Sequence, residues 1–363
     1  MMVDTRSSFQ LPDHDEAVAR RLSHELGISR ITATLLAQRG ITQVDQARLF
    51  LTPDLDRDWL DPLIIPGMAA AADAVEAQLR AGGDIVIYGD FDVDGISATA
   101  VMTKGLSALG APFGVSIRSM IPRRLDEGYG FTQASLERLE AMEPGMVLTV
   151  DNGISAQREV QELLSRGVKV MVTDHHEPGD LVPQGVPVAD PKLDPDCPSS
   201  ILAGVGVALK LIQVLGQRLG QPELWKTYTD IATLGTVADQ MLLMGENRAL
   251  VAHGVARMND DPSPAIAAFK TAFPKSVPLS ADGLSYNLLP RINSAGRVGD
   301  SNVALDLLLA PDIETATRCI QDLETLNVER RRLEAVFTGR RHRPGQGLLS
   351  RRACPGAGCP WLA

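Results

Sequence analysis

The densest chemistry in the chain lies in YGDFDVDG, where Asp90, Asp92 and Asp94 fall within five residues, just before Gly95. Carboxylates that close repel one another, and a cation is the simplest group that neutralises them. The D-x-D-x-D-G spacing also opens a calcium EF-hand loop. That loop needs a bidentate Glu at its twelfth position and a polar group near its ninth, and here those positions are Val101 and Ala98. An EF-hand also follows a helix, whereas DIVIYG reads as a strand, so the EF-hand reading fails.

The same arrangement recurs along the chain. MVLTV runs into Asp151-Asn152-Gly153, VKVMVT into Asp174-His175-His176, and VPVA into Asp190-Pro191. A single Asp after a strand is ordinarily a helix cap or turn residue. Asp90, Asp92, Asp94, Asp151, Asp174, His175 and His176 gathered on one sheet rim are hard to explain as caps. Mixed Asp and His ligation without cysteine points to Mn²⁺ or Mg²⁺, with zinc the poorer fit. The count suffices for two ions sharing a bridging carboxylate, the arrangement that activates water and stabilises in-line displacement at phosphorus. Basic residues are local: Arg123 and Arg124 in IPRRLDEGYG, and Arg291 and Arg297 bracketing RINSAGR. The latter segment reads as a loop of small residues whose N–H groups and guanidinia could hold phosphate oxygens.

These residues need a frame that brings strand ends together. Short, continuously apolar runs alternating with helical stretches (SATAVMTKGLSALG, SAQREVQELLSRG and residues 201–219) predict an α/β fold with a doubly wound, mostly parallel sheet. In such sheets ligands bind outside the carboxyl ends of the strands. Residues 1–82 read as a helical N-terminal region, with EAVARRLSHELG and ISRITATLLAQRG each stopped by glycine. The α/β domain spans 83–310. A long, charged connecting helix covers 311–337. Residues 338–363 hold five Arg, five Gly and no acid. Their abrupt change of character suits a disordered terminus, a basic arm on nucleic acid, or a shift in reading frame.

The 363 residues suit two domains, and 35 basic against 45 acidic side chains give a net charge of −10. That balance excludes a polybasic nucleic-acid coat, though not a short basic groove beside an acidic metal centre. Eight Phe, four Tyr and three Trp are too few for an extended base-stacking platform. No 18-residue apolar run occurs, the start lacks a secretory signal, and Cys197, Cys319, Cys354 and Cys359 form no framework. The expectation is a reduced, cytoplasmic protein with no membrane partner.

Over about residues 25–337 the chain resembles the DHH phosphoesterase superfamily, named for the Asp-His-His present here as Asp174-His175-His176. Within it the likeness is to the RecJ family of single-stranded-DNA-specific exonucleases. It rests on LLAQRGI, YGDFDVDG, RRLDEGYG, VDNGIS, VTDHHEPG, LAGVGVALKL, LGTVADQMLLMGENR, LPRINSAGRVGD and LNVERRRLE. The resemblance implies a two-metal exonuclease that degrades single-stranded DNA from the 5′ end in repair and recombination, with Mn²⁺ or Mg²⁺ as cofactor. It implies metal ligation by Asp90, Asp92, Asp94, Asp151, His175 and Asp239, with Asp151 bridging, and catalytic roles for Asp151, His175 and His176. It further implies substrate contacts from Arg123, Arg124, Arg291, Asn293 and Arg297. Single-stranded-DNA-binding protein and a helicase are the partners it suggests. Many members carry His at the position of Tyr88, so one ion would lean more on Asp90 or water. Members continue into a DHHA1 domain and an OB-fold, which residues 338–363 do not resemble. The expectation is therefore a chain stopping before those domains, with a weak or inactive protein, or a short-oligonucleotide phosphodiesterase, as the alternatives.

Overall fold

The computed structural model describes residues 15–122 and 131–341, with residues 337–341 as backbone alone. Asp15 caps α1 (Glu16–Leu26) by accepting from the N–H groups of Ala17 and Val18, and Gly27, at φ 65°, stops it. Ser29 caps α2 (Arg30–Gln38), and α3 (Val44–Leu51) follows. Ala19, Leu22, Ala33, Leu36, Ile41 and Ala47 form a small core of their own. A short α4 (Leu55–Asp58) leads to the joint with the main body.

That joint is a buried ion pair. Lys210 Nζ lies 2.7 Å from Glu246 Oε2, with both side chains essentially inaccessible. Nζ also donates to the Leu60 carbonyl and sits 3.8 Å above the centre of the Trp59 ring. Glu246 Oε2 accepts from the Leu60 N–H, and Trp59 Nε1 donates to Gln213. Both polar groups of Leu60 are thus fixed by one charged pair. Removing one partner of a buried pair costs about 3–5 kcal/mol, whereas an apolar replacement of both is near neutral. Glu246→Ala is therefore expected to lose about that much stability in urea denaturation, and Lys210→Met with Glu246→Leu to recover most of it. Equal losses in the single and double variants would contradict this.

The main body is built on a five-stranded, wholly parallel sheet in the order β2-β1-β3-β4-β5. The strands are β1 (Ile85–Tyr88), β2 (Ile117–Met120), β3 (Met146–Val150), β4 (Lys169–Thr173) and β5 (Val188–Ala189). Alternate side chains feed two cores, which is why the runs are apolar throughout. Ile85, Ile87, Leu148 and Met171 join the larger core with α5 (Met68–Arg80), α6 (Val93–Gly110) and α9 (Gly204–Arg218). Val86, Tyr88, Val147 and Val172 join the other with α7 (Gln133–Glu140) and α8 (Gln157–Ser165). The α/β, doubly wound expectation holds. Strand β2, absent from the sequence reading, is a half-exposed edge strand whose Arg118 and Ser119 dilute its apolar signal.

Helices complete the molecule: α10 (Thr229–Ala238), α11 (Gly245–Asp260), α12 (Pro264–Ala272), α13 (Ala281–Tyr286), α14 (Leu288–Val298), α15 (Asn302–Leu309) and α16 (Ile313–Arg341). Helix α6 is buried along most of its length, and a Cβ on its Gly105 would stand 2.5 Å from Ile212 of α9. The segment read as a small-residue loop is α14. Pro290 stands in its first turn, where a missing N–H does no harm. Its small residues serve packing, because a Cβ on Gly296 would stand 3.0 Å from the Phe91 carbonyl oxygen. Among the described residues no helix is long and apolar enough to cross a membrane.

Candidate metal centre

The order β2-β1-β3 reverses direction between β1 and β3, so the loops after these strands diverge and leave a crevice at their carboxyl ends. The loop after β1 carries Asp90, Asp92 and Asp94. Asp92 does cap α6, accepting from the Gly95 N–H at 3.0 Å through Oδ1. Asp94 is buried in the first turn of that helix and accepts from the N–H groups of Gly204 (2.7 Å) and Val205 (3.0 Å) at the start of α9. Asp151, after β3, has a φ of 58°, a left-handed posture that Asp tolerates better than most residues.

The loop after β4 adds the histidines. His175 Nε2 lies 3.0 Å from Asp151 Oδ1, 3.7 Å from Asp94 Oδ2 and 3.8 Å from Asp239 Oδ2. Asp174 has a different task. Its Oδ1 accepts from the His175 and His176 N–H groups and from His176 Nδ1 at 2.7 Å, while Oδ2 accepts from the Ile154 N–H. It orients the loop and is not part of the ligand cluster. Asp239, just beyond α10, is the one cluster member the residue pattern alone does not expose; it comes only from the resemblance. Its neighbour Gln240 is left-handed at φ 55°.

Among the described residues three groups have ligand atoms within 4.8 Å of one another: Asp151, His175 and His176; Asp94, His175 and Asp239; and Asp90, Asp92 and Asp151. Asp151 and His175 each belong to two of them. The donors suit hard divalent ions, being carboxylate and imidazole with no sulfur. Asp151 Oδ1 is buried beside His175 Nε2, and among the described residues no hydrogen bond reaches it. Glycines shape the cradle: a Cβ on Gly204 would stand 2.4 Å from Asp151 Oδ1, and one on Gly235 would stand 2.4 Å from Asp94 Oδ1. The residues fit a pair of such ions.

Electrostatics agree. Burial first, and then the charge of Asp92, raise Asp90 to about 7. Burial and neighbouring carboxylates hold Asp94 and Asp151 well above the usual carboxylate range. Burial lowers His175 to about 4, leaving it neutral and able to ligate. The hydrogen bond to Asp174 raises His176 to about 9. A carboxyl raised above its unfolded value near 4 stabilises the fold fully below that value and loses the contribution as pH climbs through its folded pKa. His176 behaves alike, up to about 9. His175 runs oppositely, but its contribution is lost only as pH falls from about 6.5 toward 4. In EDTA the chain is therefore expected to melt lower at pH 8 than at pH 6.5, and Mn²⁺ to raise the melting temperature more at pH 8. Scanning fluorimetry reads both, and a flat or rising EDTA profile across that window would contradict this.

Other expected residues are placed as follows. Asn293 and Arg297 line a cavity whose wall includes Val237 and Ala238, the residues immediately before Asp239. Arg291 is engaged locally: Nε donates to Glu324 at 2.6 Å, Nη1 to the Asn287 carbonyl, and its guanidinium lies 4.0 Å over the Phe273 ring. Tyr88 is buried, donates to Ser135 Oγ and stacks on Phe131. Arg123 and Arg124, and the tail from residue 342, lie outside the described residues.

Comparison with known proteins supplies the context. Residues 84–236 match the DHH family, N-terminal domain. The single-stranded-DNA-specific exonuclease RecJ of Thermus thermophilus is 41% identical over 286 residues, covering 77% of this chain and 41% of that protein. The crystal structure of RecJ in complex with Mn²⁺ from Thermus thermophilus superposes with a TM-score of 0.75 at 33% identity, covering 91% of this chain and 46% of that one. A crystal structure of exonuclease RecJ bound to manganese gives a TM-score of 0.69 at 38% identity, covering 76% and 69%. Curated relatives are matched over 41% to 55% of their length, so the chain spans about half of them.

Proposed function

Because the chain belongs to the RecJ-like proteins of the DHH family, we propose that it is a metal-dependent phosphodiesterase that trims single-stranded DNA from its 5′ end to 5′-mononucleotides in DNA repair and recombination. The observation that carries this reading is the meeting of Asp90, Asp92, Asp94, Asp151, His175, His176 and Asp239 at the point where the strand order reverses. Two Mn²⁺ or Mg²⁺ ions held there would supply a water of lowered pKa and positive charge against the phosphoryl oxygens.

The chain's own residues hold and orient. Asp94 and Asp239 group with His175, Asp90 and Asp92 group with Asp151, and Asp151 Oδ1 lies 3.0 Å from His175 Nε2, which joins the two sets. His176, kept protonated by Asp174 and half exposed, offers a charged N–H to a non-bridging oxygen of the phosphate. Asn293 and Arg297 serve as phosphate contacts beside Asp239, and the resemblance adds Arg123 and Arg124. Arg291 supports α14 through Glu324 and Phe273.

The test is incubation of 5′-labelled single strands with the chain and Mn²⁺. Labelled mononucleotide is expected, with EDTA stopping its release and blunt duplex left intact. No mononucleotide from any single strand with either ion would overturn the reading. Turnover confined to dinucleotides would move the substrate to short oligonucleotides.

A further inference from the structure

A cavity of about 480 Å³ opens beside Asp239 between α10, α13, α14 and α16, within the size range of ligand-holding clefts. Its wall includes Gln240, Tyr286, Asn293, Arg297 and Arg330, and among the described residues no carboxylate lines it, in a chain of net charge −10. Tyr286 is 83% exposed. An aromatic ring so placed contributes little to folding, because its apolar face stays in water. Arg297 is exposed, and among the described residues no carboxylate pairs with it. Arg330 is held at the wall by Glu334 and Asn327. Gln240 keeps its left-handed backbone at the seam between the cavity and Asp239. Strain of that kind, about 1–3 kcal/mol, persists where surrounding structure enforces it, and clusters at ligand clamps.

We propose that this cavity is a strand-binding subsite next to the metal centre, in which a nucleobase of the single strand stacks on Tyr286 while Arg297 holds the adjoining phosphate. The proposal rests on the reading that single-stranded DNA is the substrate. It assigns Tyr286 a role in gripping a nucleotide other than the one being cut. A ring with a charged donor beside it binds any base, since every base has a π-face and every linkage a phosphate.

Alanine replacement of a stacking aromatic costs about 1–3 kcal/mol per base, or about 5- to 150-fold in affinity. Tyr286→Ala is expected to raise KM for a long oligothymidylate within that range and to leave kcat within about twofold. Turnover of the p-nitrophenyl ester of thymidine 5′-phosphate, which lacks a second nucleotide, is expected to stay unchanged. Tyr286→Phe restores the oligonucleotide KM, because the ring and not the hydroxyl makes the contact. Tyr286→Trp adds a fluorophore whose emission, taken as a difference against the unaltered chain, is quenched by oligothymidylate and not by a strand of abasic sugars. The fluorescence arm needs no turnover, so a chain inert on every strand yet quenched by oligothymidylate fails the exonuclease reading and keeps the subsite. An active chain with no quenching and an unchanged KM in Tyr286→Ala overturns the subsite. Equal losses on the ester and the long strand also overturn it, by showing a structural role.

Discussion

Replacing Asp151 by Asn is expected to lower Mn²⁺-dependent hydrolysis by about a thousandfold or more, and at the same time to raise the melting temperature measured in EDTA. The first effect follows from the loss of the carboxylate that groups with Asp90 and Asp92 and lies 3.0 Å from His175 Nε2 of the neighbouring group. Metal-borne stabilisation of a phosphoryl transition state is worth several kcal/mol, and each 1.4 kcal/mol is about tenfold in rate. The second effect follows from burial. Asp151 stands among Asp94, Asp92, Asp90 and Asp174, each of which pushes its pKa upward. Removing its charge relieves that repulsion, and Asn accepts the left-handed backbone at φ 58° as readily as Asp. The site is thus a place where stability is given up for binding. Single-turnover rates and melting curves read the two effects, and a variant that keeps a tenth of the activity, or that melts lower in EDTA, contradicts the account.

The second large effect is at Gly204, which bears no functional group. A methyl there would stand 2.4 Å from Asp151 Oδ1 and 2.6 Å from its Cβ, so the clash is with the root of the side chain and not a flexible tip. Overpacking of this kind costs about 1–3 kcal/mol. The same residue's N–H donates to Asp94, so a shift of α9 moves both carboxylates. A displacement near 1 Å in a reacting constellation costs about a hundredfold. Gly204→Ala is expected to lose at least that much activity and to bind Mn²⁺ weakly. Gly206→Ala, one half-turn on, meets only the Leu202 side chain at 3.0 Å and serves as the comparison. Equal behaviour of the two variants would show that the cradle does not depend on that contact.

Much of this site is legible in the order of its residues. Strands facing two cores have to be apolar throughout, and their acidic ends point to one rim. What the residue order leaves out is tertiary. Strand β2 lies at an edge, where half-exposure permits Arg118 and Ser119. Asp174 has the residue type and position of a ligand, and only its four donors show that it orients instead. Asp239 follows an ordinary helix end, and its membership depends on Gly235 bringing α10 against Asp94. The run of small residues around Gly296 has the composition of a phosphate loop, whereas its smallness lets α14 close on the Phe91 carbonyl. In each case the missing information is a neighbour distant in sequence.

The central claim is that this cage holds two divalent ions. Calorimetric titration of the chain with Mn²⁺ at pH 8 is predicted to saturate at two ions per chain, with protons released from the raised carboxyls. The same titration of Asp151→Asn should lose at least one of them. Saturation at one ion or none in the unaltered chain contradicts the account.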